Sequence, residues 1–261
     1  MVGTIGTDHD ADTLTSLLEE MNVSAEFLVR ISNRPTSVKT RVIAHSQQVV
    51  RVDQETTLDF SDKDHEQIWE NISRVLQEVD AVLISDYAKG LLSPSLLWRL
   101  IDSAKSLGKL VLVDPKGKNY SRYSGASLLT PNRREAAEAC NLNDEIPDLI
   151  EIAGNKLLNE LGLGMVLITQ GEEGMTLFQK EKEPQHLSTA AKEIYDVTGA
   201  GDTVIATIAV AMGSGLDFLE AAKVANAAAA VVVEKVGTSA IARSELAAIL
   251  SKMPEQRIDR K

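Results

Sequence analysis

The segment Gly199-Ala200-Gly201-Asp202 contains the residue types that phosphate transfer requires. Residues 203–212 after it are almost wholly apolar, and such a run after a glycine-rich turn predicts a buried helix. The first amides of a helix have no partner inside it, and the helix dipole adds positive potential there. We therefore expect an anion pocket with the Asp202 carboxylate at its mouth, as a base for an attacking hydroxyl. On these residues alone, a plain turn and an ordinary helix-terminal carboxylate are an equally good interpretation.

A second pattern, Asn132 followed by Glu135, places an amide and a carboxylate one helical turn apart. Such a pair can hold the water shell of Mg²⁺, which usually keeps several of its waters. The same pair has the form of a capping box at a helix N-terminus, and by itself it favours that interpretation. A third cluster, residues 169–174, is rich in glycine and by itself predicts only a turn after a strand.

The elements that would position these residues are alternating strands and helices. Apolar runs predict a strand within 1–6, buried strands at 81–85, 109–113, 127–130 and 165–169, and antiparallel strands at 175–179 and 186–189. Helices are predicted at residues 8–21, 62–77, 93–108, 132–139, 147–161 and 217–237. This alternation indicates an α/β fold, in which a mostly parallel sheet is covered by helices on both faces.

Polar clusters follow the predicted strands, at residues 86–89, 114–116, 132–135, 169–174 and 196–202. Because ligands bind at the carboxyl ends of the strands in parallel sheets, we expect these clusters to meet at one edge. Residues 36–53 have a different pattern, in which apolar and polar positions alternate. This alternation predicts a half-exposed hairpin rather than a core strand.

The composition restricts the class of function. The chain has 261 residues, of which 44% are hydrophobic and 25% charged, and its net charge is −11. This charge argues against a nucleic-acid partner or an acidic membrane surface, whereas a small phosphorylated ligand could still bind a local basic pocket. No stretch is long and apolar enough to span a membrane, and the N-terminus lacks a signal-peptide pattern. Cys140 is the only cysteine, which fits a reducing compartment, so we expect a cytoplasmic enzyme.

The sequence DVTGAGDT at residues 196–203 resembles the C-terminal signature of the ribokinase-like, or PfkB, carbohydrate kinases. Thr207 departs from the signature, because many members have glycine at that position. The sequence TPNRRE at 130–135 resembles the Asn-x-x-Glu motif of the family, and residues 169–174 are similar to its nucleotide-side loop. The resemblance implies a ribokinase-like three-layer sandwich with a small β lid, which uses ATP and Mg²⁺.

The same resemblance implies roles for individual residues. Asp202 would be the catalytic base, and the amides of Gly199, Ala200 and Gly201 would form an anion hole. Asn132 and Glu135 would hold the metal, through water. The ATP-binding residues would be Asn132, Arg133, Arg134, Glu135, Thr169, Gly171 and Gly174. The segment 226–238 would lie over the adenine, although close helix packing explains its alanines equally well.

Residues 85–90 (SDYAKG), 113–117 (VDPKG) and the hairpin at 38–53 look like the kinase portion of the bacterial heptose 7-phosphate kinases. That resemblance implies ATP-dependent phosphorylation of D-glycero-β-D-manno-heptose 7-phosphate at O1, in ADP-heptose synthesis for the lipopolysaccharide core. A phosphorylated sugar requires cations. The candidate substrate-binding residues are Lys39, Arg41, Lys89, Asp114 and Lys116, although each cation taken singly fits a solvated surface residue.

The family normally carries a further N-terminal portion with a sugar-binding Asp and a Gly-Gly-x-x-x-Asn segment, and no such pattern precedes Val2. We therefore expect a kinase domain over residues 1–253 without that portion, and a polar tail at 254–261. Two alternatives stay open: a kinase for another sugar or a nucleoside, and an inactive remnant that binds nucleotide. The sequence also leaves open whether the chain forms a homodimer.

Overall fold

The computed structural model describes residues 1–44, 47–191, 197–235, 237 and 239–251. Asp196 of the glycine-rich signature, residues 192–195 before it and the expected tail at 254–261 lie outside the described residues. The chain divides into two compact units, of which one contains Met1–Val79 and Tyr87–Leu100 and the other contains Asp80–Asp86 and Ile101–Lys261. The domain boundary expected at residue 253 stays a prediction.

The first unit contains a parallel pair of strands, a hairpin and helices. Its elements are β1 (Gly3–Ile5), α1 (His9–Glu20), β2 (Leu28–Arg30), β3 (Val38–Ala44), β4 (Gln47–Gln54) and α2 (Asp62–Val75). β1 pairs with β2 in parallel, and β3 pairs with β4 in an antiparallel hairpin, which confirms the hairpin predicted at residues 36–53. Helix α3 (Pro94–Ser106) begins in this unit, where the Ser93 hydroxyl accepts from the amide of Leu96 at 3.2 Å.

The second unit is built on a six-stranded sheet. Its elements are β5 (Ala81–Ser85), β6 (Leu110–Asp114), β7 (Leu128–Leu129), α4 (Arg133–Cys140), α5 (Leu149–Glu160), β8 (Met165–Thr169), β9 (Met175–Gln179), β10 (Gln185–Leu187), α6 (Ala200–Gly213), α7 (Phe218–Val233) and α8 (Arg243–Leu250). The strand order is β10-β9-β8-β7-β6-β5. Strands β5 to β8 run parallel, and β9 and β10 are added antiparallel.

Helices cover both faces of this sheet, which confirms the predicted α/β arrangement. One face packs against α6 and α7, through Leu112, Leu128, Leu167, Leu177, Ile205, Ile208, Ala221 and Ala225. Phe178 follows Leu177 in β9 and therefore points to the opposite face, where α5 covers it. The apolar helix predicted after the glycine-rich segment is α6, in which Val204, Ile205 and Ile208 are buried.

Three local features differ from the sequence-based expectations. β5 was expected to be a buried strand, but it lies at one edge of the described sheet, and Leu83 is 40% exposed. An apolar run does not reveal whether a neighbouring strand covers both sides. The sequence analysis also missed β2, which has three residues, and α8, whose N-cap residue Ala242 makes no side-chain capping hydrogen bond. None of the helices in the described ranges has the length and apolarity that crossing a bilayer requires.

Close packing of α5 on β9 generates a stability prediction. A Cβ at Gly154 would lie 2.4 Å from the ring of Phe178, which is fully buried and cannot move aside. We expect Gly154→Ala to lower the free energy of unfolding by about 1–3 kcal/mol in urea denaturation. Gly213→Ala at the end of α6 is the matched control, because the Cβ would lie 3.8 Å from Asp80. An equal effect of the two substitutions would contradict this packing.

Candidate active site

The N-terminus of α6 begins in the glycine-rich segment, as the sequence predicts. Gly199 is the N-cap residue with φ +83°, a conformation that glycine adopts without steric cost. Asp202 lies in the first turn of α6 and is exposed. The amide of Ala200 donates to the carbonyl of Val197 at 3.2 Å, so in this arrangement that amide is engaged by the turn itself. Asp202 is therefore accessible to a ligand at the positive end of a helix.

A cavity of about 330 Å³ lies at this helix terminus. Its polar lining consists of Asn132, Thr169, Gly171, Gly174, Thr189, Gly201 and Asn226, and its apolar lining of Met175, Val197, Ala200, Val204, Ala229, Ala230 and Val233. The structure thus brings together the end of β8, the loop after it and the starts of α4 and α6, as the clusters at strand ends predicted. It also places four residues of α7 in the wall, namely Asn226, Ala229, Ala230 and Val233. From the sequence alone, close helix packing explained the alanines of this segment equally well.

The loop after β8 is shaped by Gly174 and Gln170. Gly174 has φ +96°, and a Cβ there would lie 2.1 Å from the carbonyl oxygen of Leu187. The amide of Gln170 donates to the carbonyl of Gly174 at 2.8 Å. The side-chain oxygen of Gln170 accepts from the Thr176 hydroxyl at 2.6 Å. These contacts hold Gly171 in the cavity wall, where it has no side chain that would block access to its backbone. The glycine-rich turn predicted from the sequence is therefore a built part of the cavity wall.

Asn132 and Glu135 form the capping box at the start of α4. The Asn132 side chain accepts from the amide of Glu135 at 2.9 Å, and Glu135 Oε2 accepts from the amide of Asn132 at 3.1 Å. The other carboxylate oxygen, Oε1, accepts from Lys116 Nζ at 2.8 Å. A capping role and a metal-positioning role are compatible, because oxygens used in the cap retain lone pairs that can face water.

The residues near the cavity fit a hydrated metal ion rather than a directly ligated one. The described ranges contain no group of three or more His, Cys, Asp or Glu side chains arranged to hold an ion. Asn132 and Glu135 contribute one amide oxygen and one carboxylate, which is too few for a protein-only octahedral shell. Mg²⁺ usually keeps several waters, so this donor set suits contact through water.

Asp114, at the end of β6, lies among other carboxylates. Burial, followed by the nearby charges of Glu135 and Asp202, raises the pKa of Asp114 to about 7, and the positive charge of Lys116 opposes that rise. The hydrogen bond to Glu135 raises the pKa of Lys116, so the ammonium stays charged at neutral pH. The structure therefore brings Asp114 and Lys116, both predicted to bind substrate, to the carboxylates near α4 and α6.

Tyr123 and Asp86 are residues of this region that the sequence analysis did not select as functional. Tyr123 is fully buried, and its hydroxyl donates to Asp86 Oδ2 at 2.6 Å. The same hydroxyl accepts from the amide of Lys116 at 3.2 Å. The only sequence signal was the presence of Asp86 in a polar cluster after a strand, because its partner lies 37 positions away.

Arg133 and Arg134 line a neighbouring cavity of about 290 Å³, which shares Asn132, Thr169 and Gly171 with the larger one. Arg133 donates to the carbonyl of Asp144 at 3.3 Å, and Arg134 pairs with Glu138 at 2.9 Å. The two arginines, predicted to bind ATP, thus lie beside the larger cavity and not in its wall.

The remaining predicted cations, Lys39, Arg41 and Lys89, lie in the first unit. Lys39 Nζ is 3.0 Å from Glu55 Oε2, and Lys89 Nζ contacts Glu55 Oε1. Arg41 lies directly opposite Arg51 across the hairpin. Like charges in such a pair repel each other, and Asp53, whose Oδ2 lies 3.0 Å from Arg51, already balances part of this positive charge.

Comparisons with known proteins show the family to which the chain belongs. The model of the pfkB family of carbohydrate kinases matches residues 1–245. The chain is 45% identical to bifunctional protein HldE of Helicobacter hepaticus and 44% identical to that of Proteus mirabilis. These matches cover 97% and 94% of this chain but 52% and 51% of the relatives, so the chain spans about half their length.

Solved structures support the same fold. Ribokinase from Giardia lamblia superposes with a TM-score of 0.80 at 23% identity, over 97% of this chain and 82% of that chain. Ribokinase from Arabidopsis thaliana, solved with ribose and ATP, has a TM-score of 0.76 at 24% identity, over 95% of this chain and 80% of that chain. At this level of identity, the likeness establishes the ribokinase-like fold alone.

The raised pKa of Asp114 generates a prediction on stability. The pKa of Asp114 is about 7 in the folded chain, instead of 3.8. Between these two pH values, the folded chain therefore keeps a proton on Asp114 that the unfolded chain has lost. Stability should therefore fall as the pH rises from about 4 to about 7. We expect Asp114→Asn to reduce the loss of unfolding free energy between pH 5 and pH 8 by about 1–3 kcal/mol. Parallel stability curves for the variant and the parent chain would contradict the assigned environment of Asp114.

Proposed function

We propose that this chain, which belongs to the pfkB family of carbohydrate kinases, transfers the γ-phosphoryl group of ATP to O1 of D-glycero-β-D-manno-heptose 7-phosphate. The main support is the cavity at the N-terminus of α6, whose lining includes Asn132 and the backbone of Gly201. The accessible Asp202 follows Gly201 in the first turn of α6, and Glu135 pairs with Asn132 in the capping box of α4, although neither carboxylate lines the cavity itself. The sugar is inferred from the resemblance of residues 38–53, 85–90 and 113–117 to heptose 7-phosphate kinases.

In this proposal, Asp202 is the general base. Its carboxylate takes the proton from the O1 hydroxyl as that oxygen attacks the γ-phosphorus. The new O1–P bond forms while the bond from the γ-phosphorus to the β,γ-bridging oxygen breaks, and ADP leaves with the electron pair. The N-terminus of α6, with the backbone of Gly199, Ala200 and Gly201, stabilises the charge on the phosphoryl oxygens. The amide of Ala200 would have to exchange its turn partner, Val197, for the phosphate.

The cavity lining suggests how ATP would lie. The small apolar residues of α7, Ala229, Ala230 and Val233, form a wall that suits the flat adenine ring. Gly171 and Gly201 lie along the same cavity, and neither has a side chain that would keep the triphosphate from the backbone. We therefore place the adenine ring of ATP against α7, and its phosphates between the loop after β8 and the start of α6.

Mg²⁺ would be positioned by Asn132 and Glu135 through its water shell. When bound, the ion would neutralise charge on the β- and γ-phosphates and on the transferring group. Glu135 keeps one oxygen in the capping box and the other on Lys116, so its orientation is already fixed before ATP arrives. Preorganised charge of this kind costs no rearrangement during the reaction.

The acceptor phosphate requires cations besides those at the nucleotide cavity. Lys39 and Lys89 share the carboxylate of Glu55, so two ammonium groups are already held at one anionic group. Arg41 and Arg51 add further positive charge to the hairpin. We propose that Lys39, Arg41 and Lys89 recognise the 7-phosphate. A cytoplasmic location, where ATP is available, is part of the same proposal, and a homodimer is compatible with it.

A second candidate function is nucleotide binding without transfer. It is favoured by the lining of the nucleotide cavity, all of which belongs to the second unit, whereas the cations of the hairpin belong to the first unit. Such a chain would bind ATP but would phosphorylate no sugar. A kinase for another sugar or a nucleoside would transfer phosphate with a different acceptor preference, so a panel of acceptors separates the three functions.

The role of Asp202 is tested by Asp202→Asn. The amide keeps the shape of the side chain but cannot accept the proton, so kcat should fall by about 10²–10⁴-fold while the Kd for ATP changes little. Asp217→Asn is the matched control, because Asp217 caps α7 and asparagine caps a helix equally well. A rate within threefold of the parent for Asp202→Asn would remove Asp202 from the mechanism.

The role of Glu135 is tested by Glu135→Gln. Glutamine preserves the capping box but loses the negative charge, so the Mg²⁺ concentration for half-maximal rate should rise about tenfold. Glu220→Gln is the matched control, because Glu220 occupies the same capping-box position at the start of α7. If the Mg²⁺ titration of Glu135→Gln coincides with that of the control, Glu135 has a capping role only.

A further inference from the structure

The hydroxyl of Tyr123 joins two loops at the carboxyl edge of the sheet. It donates to Asp86 Oδ2 at 2.6 Å and accepts from the amide of Lys116 at 3.2 Å. Asp86 directly follows β5, and Lys116 lies two residues beyond the end of β6. Burial, and then the hydrogen bond to Asp86, raise the pKa of Tyr123, so the hydroxyl keeps its proton and remains a donor at neutral pH.

The carboxylate that receives this bond is held firmly. The Asp86 side chain is only 3% exposed, and Arg122 lies 3.7 Å from the oxygen that Tyr123 contacts. The backbone amide of Asp86 donates to the carbonyl of Asp114 at 3.0 Å, which fastens the end of β5 to the end of β6. Tyr123 is therefore fixed by its own burial and by a buried anion.

The position of the Lys116 side chain depends more on a fixed backbone than the position of its partner Glu135 does. Its side chain is 53% exposed, whereas the side chain of Glu135, which it contacts at 2.8 Å, is only 18% exposed. An exposed lysine has several rotamers available and loses entropy when it is held in one place. A fixed backbone amide at Lys116 restricts where the ammonium group can go and thereby favours its contact with Glu135.

We propose that Tyr123 is a positioning residue for phosphoryl transfer, acting through Lys116, whose ammonium group it keeps on Glu135 beside the nucleotide cavity. This inference rests on the proposed kinase function and assigns Lys116 to the nucleotide side of the reaction. A bare Glu135 carboxylate would repel the phosphates of ATP, and the ammonium group balances that charge. The continuous path runs from Asp86 through Tyr123, Lys116 and Glu135 to the start of α4.

The test is a double-mutant cycle with Tyr123→Phe, Lys116→Met and the double variant. Tyr123→Phe should lower kcat about fivefold, with the KM of the sugar nearly unchanged, because it removes the hydroxyl that accepts from the amide of Lys116. If Tyr123 acts through Lys116, then Tyr123→Phe should change kcat less than twofold when Lys116 is already methionine. Effects on kcat that multiply in the double variant would overturn the proposal.

Tyr120→Phe is the matched control. Tyr120 and Tyr123 are the first and last residues of one short helical turn, Tyr120–Tyr123. Tyr120 is also buried, but its hydroxyl has no hydrogen-bond partner within the described part of the chain. Its removal should leave kcat unchanged. A loss of rate in Tyr120→Phe equal to that in Tyr123→Phe would show that the turn, and not the Tyr123 hydroxyl, is responsible.

Two measurements separate this inference from the proposed function. The Kd for ATP, measured by calorimetry, should rise in Tyr123→Phe, rise at least as much in Lys116→Met and rise no further in the double variant, even if the chain phosphorylates no sugar. If the chain phosphorylates no sugar but the Kd follows this pattern, the proposed function fails, whereas the positioning of Lys116 by Tyr123 at the nucleotide cavity stands. Asp86→Asn is a second variant, measured with urea denaturation. If it and Tyr123→Phe both lose cooperative unfolding, the contact is purely structural and the inference is wrong.

Discussion

Repulsion among carboxylates at the carboxyl edge of the six-stranded sheet is the constraint on which the site depends. Burial, and then the nearby charges of Glu135 and Asp202, raise the pKa of Asp114 to about 7. Such a cluster is stable only if positive charge is built in beside it. Lys116 provides a full charge, and the N-termini of α4 and α6 provide partial charges from their amides.

This balance is one reason to propose that a nucleotide and a metal bind in this region. In the proposed complex, Mg²⁺ would offset part of the negative charge of ATP, so the carboxylates would repel the pair less than they would repel ATP alone. The sheet places the groups because its parallel strands end at one edge and the helices α4 and α6 begin there. The capping box of α4 orients Glu135, because its carboxylate accepts a hydrogen bond from the backbone at the N-cap. Rotation of the Glu135 side chain would break that hydrogen bond.

The local parts of this arrangement could be predicted from sequence, and the long-range parts could not. The glycine-rich start of α6, the Asn132 cap and the hairpin are encoded by neighbouring residues, and all three were predicted. The edge position of β5 and the bond between Tyr123 and Asp86 depend on which segments meet in space. Neither of these two features leaves a periodic pattern or a turn signal in the sequence. A buried tyrosine, for example, is as compatible with plain packing as with a hydrogen-bonded network.

The central claim is that this chain transfers phosphate to O1 of a heptose that already carries a 7-phosphate. The most direct measurement mixes the chain with MgATP and follows the phosphorus NMR spectrum with heptose 7-phosphate and, separately, with the same heptose lacking its phosphate. The account predicts a new anomeric phosphate signal, with ADP in equal amount, and much faster transfer to the phosphorylated sugar. Absence of that signal, or equal rates for the two sugars, would contradict it.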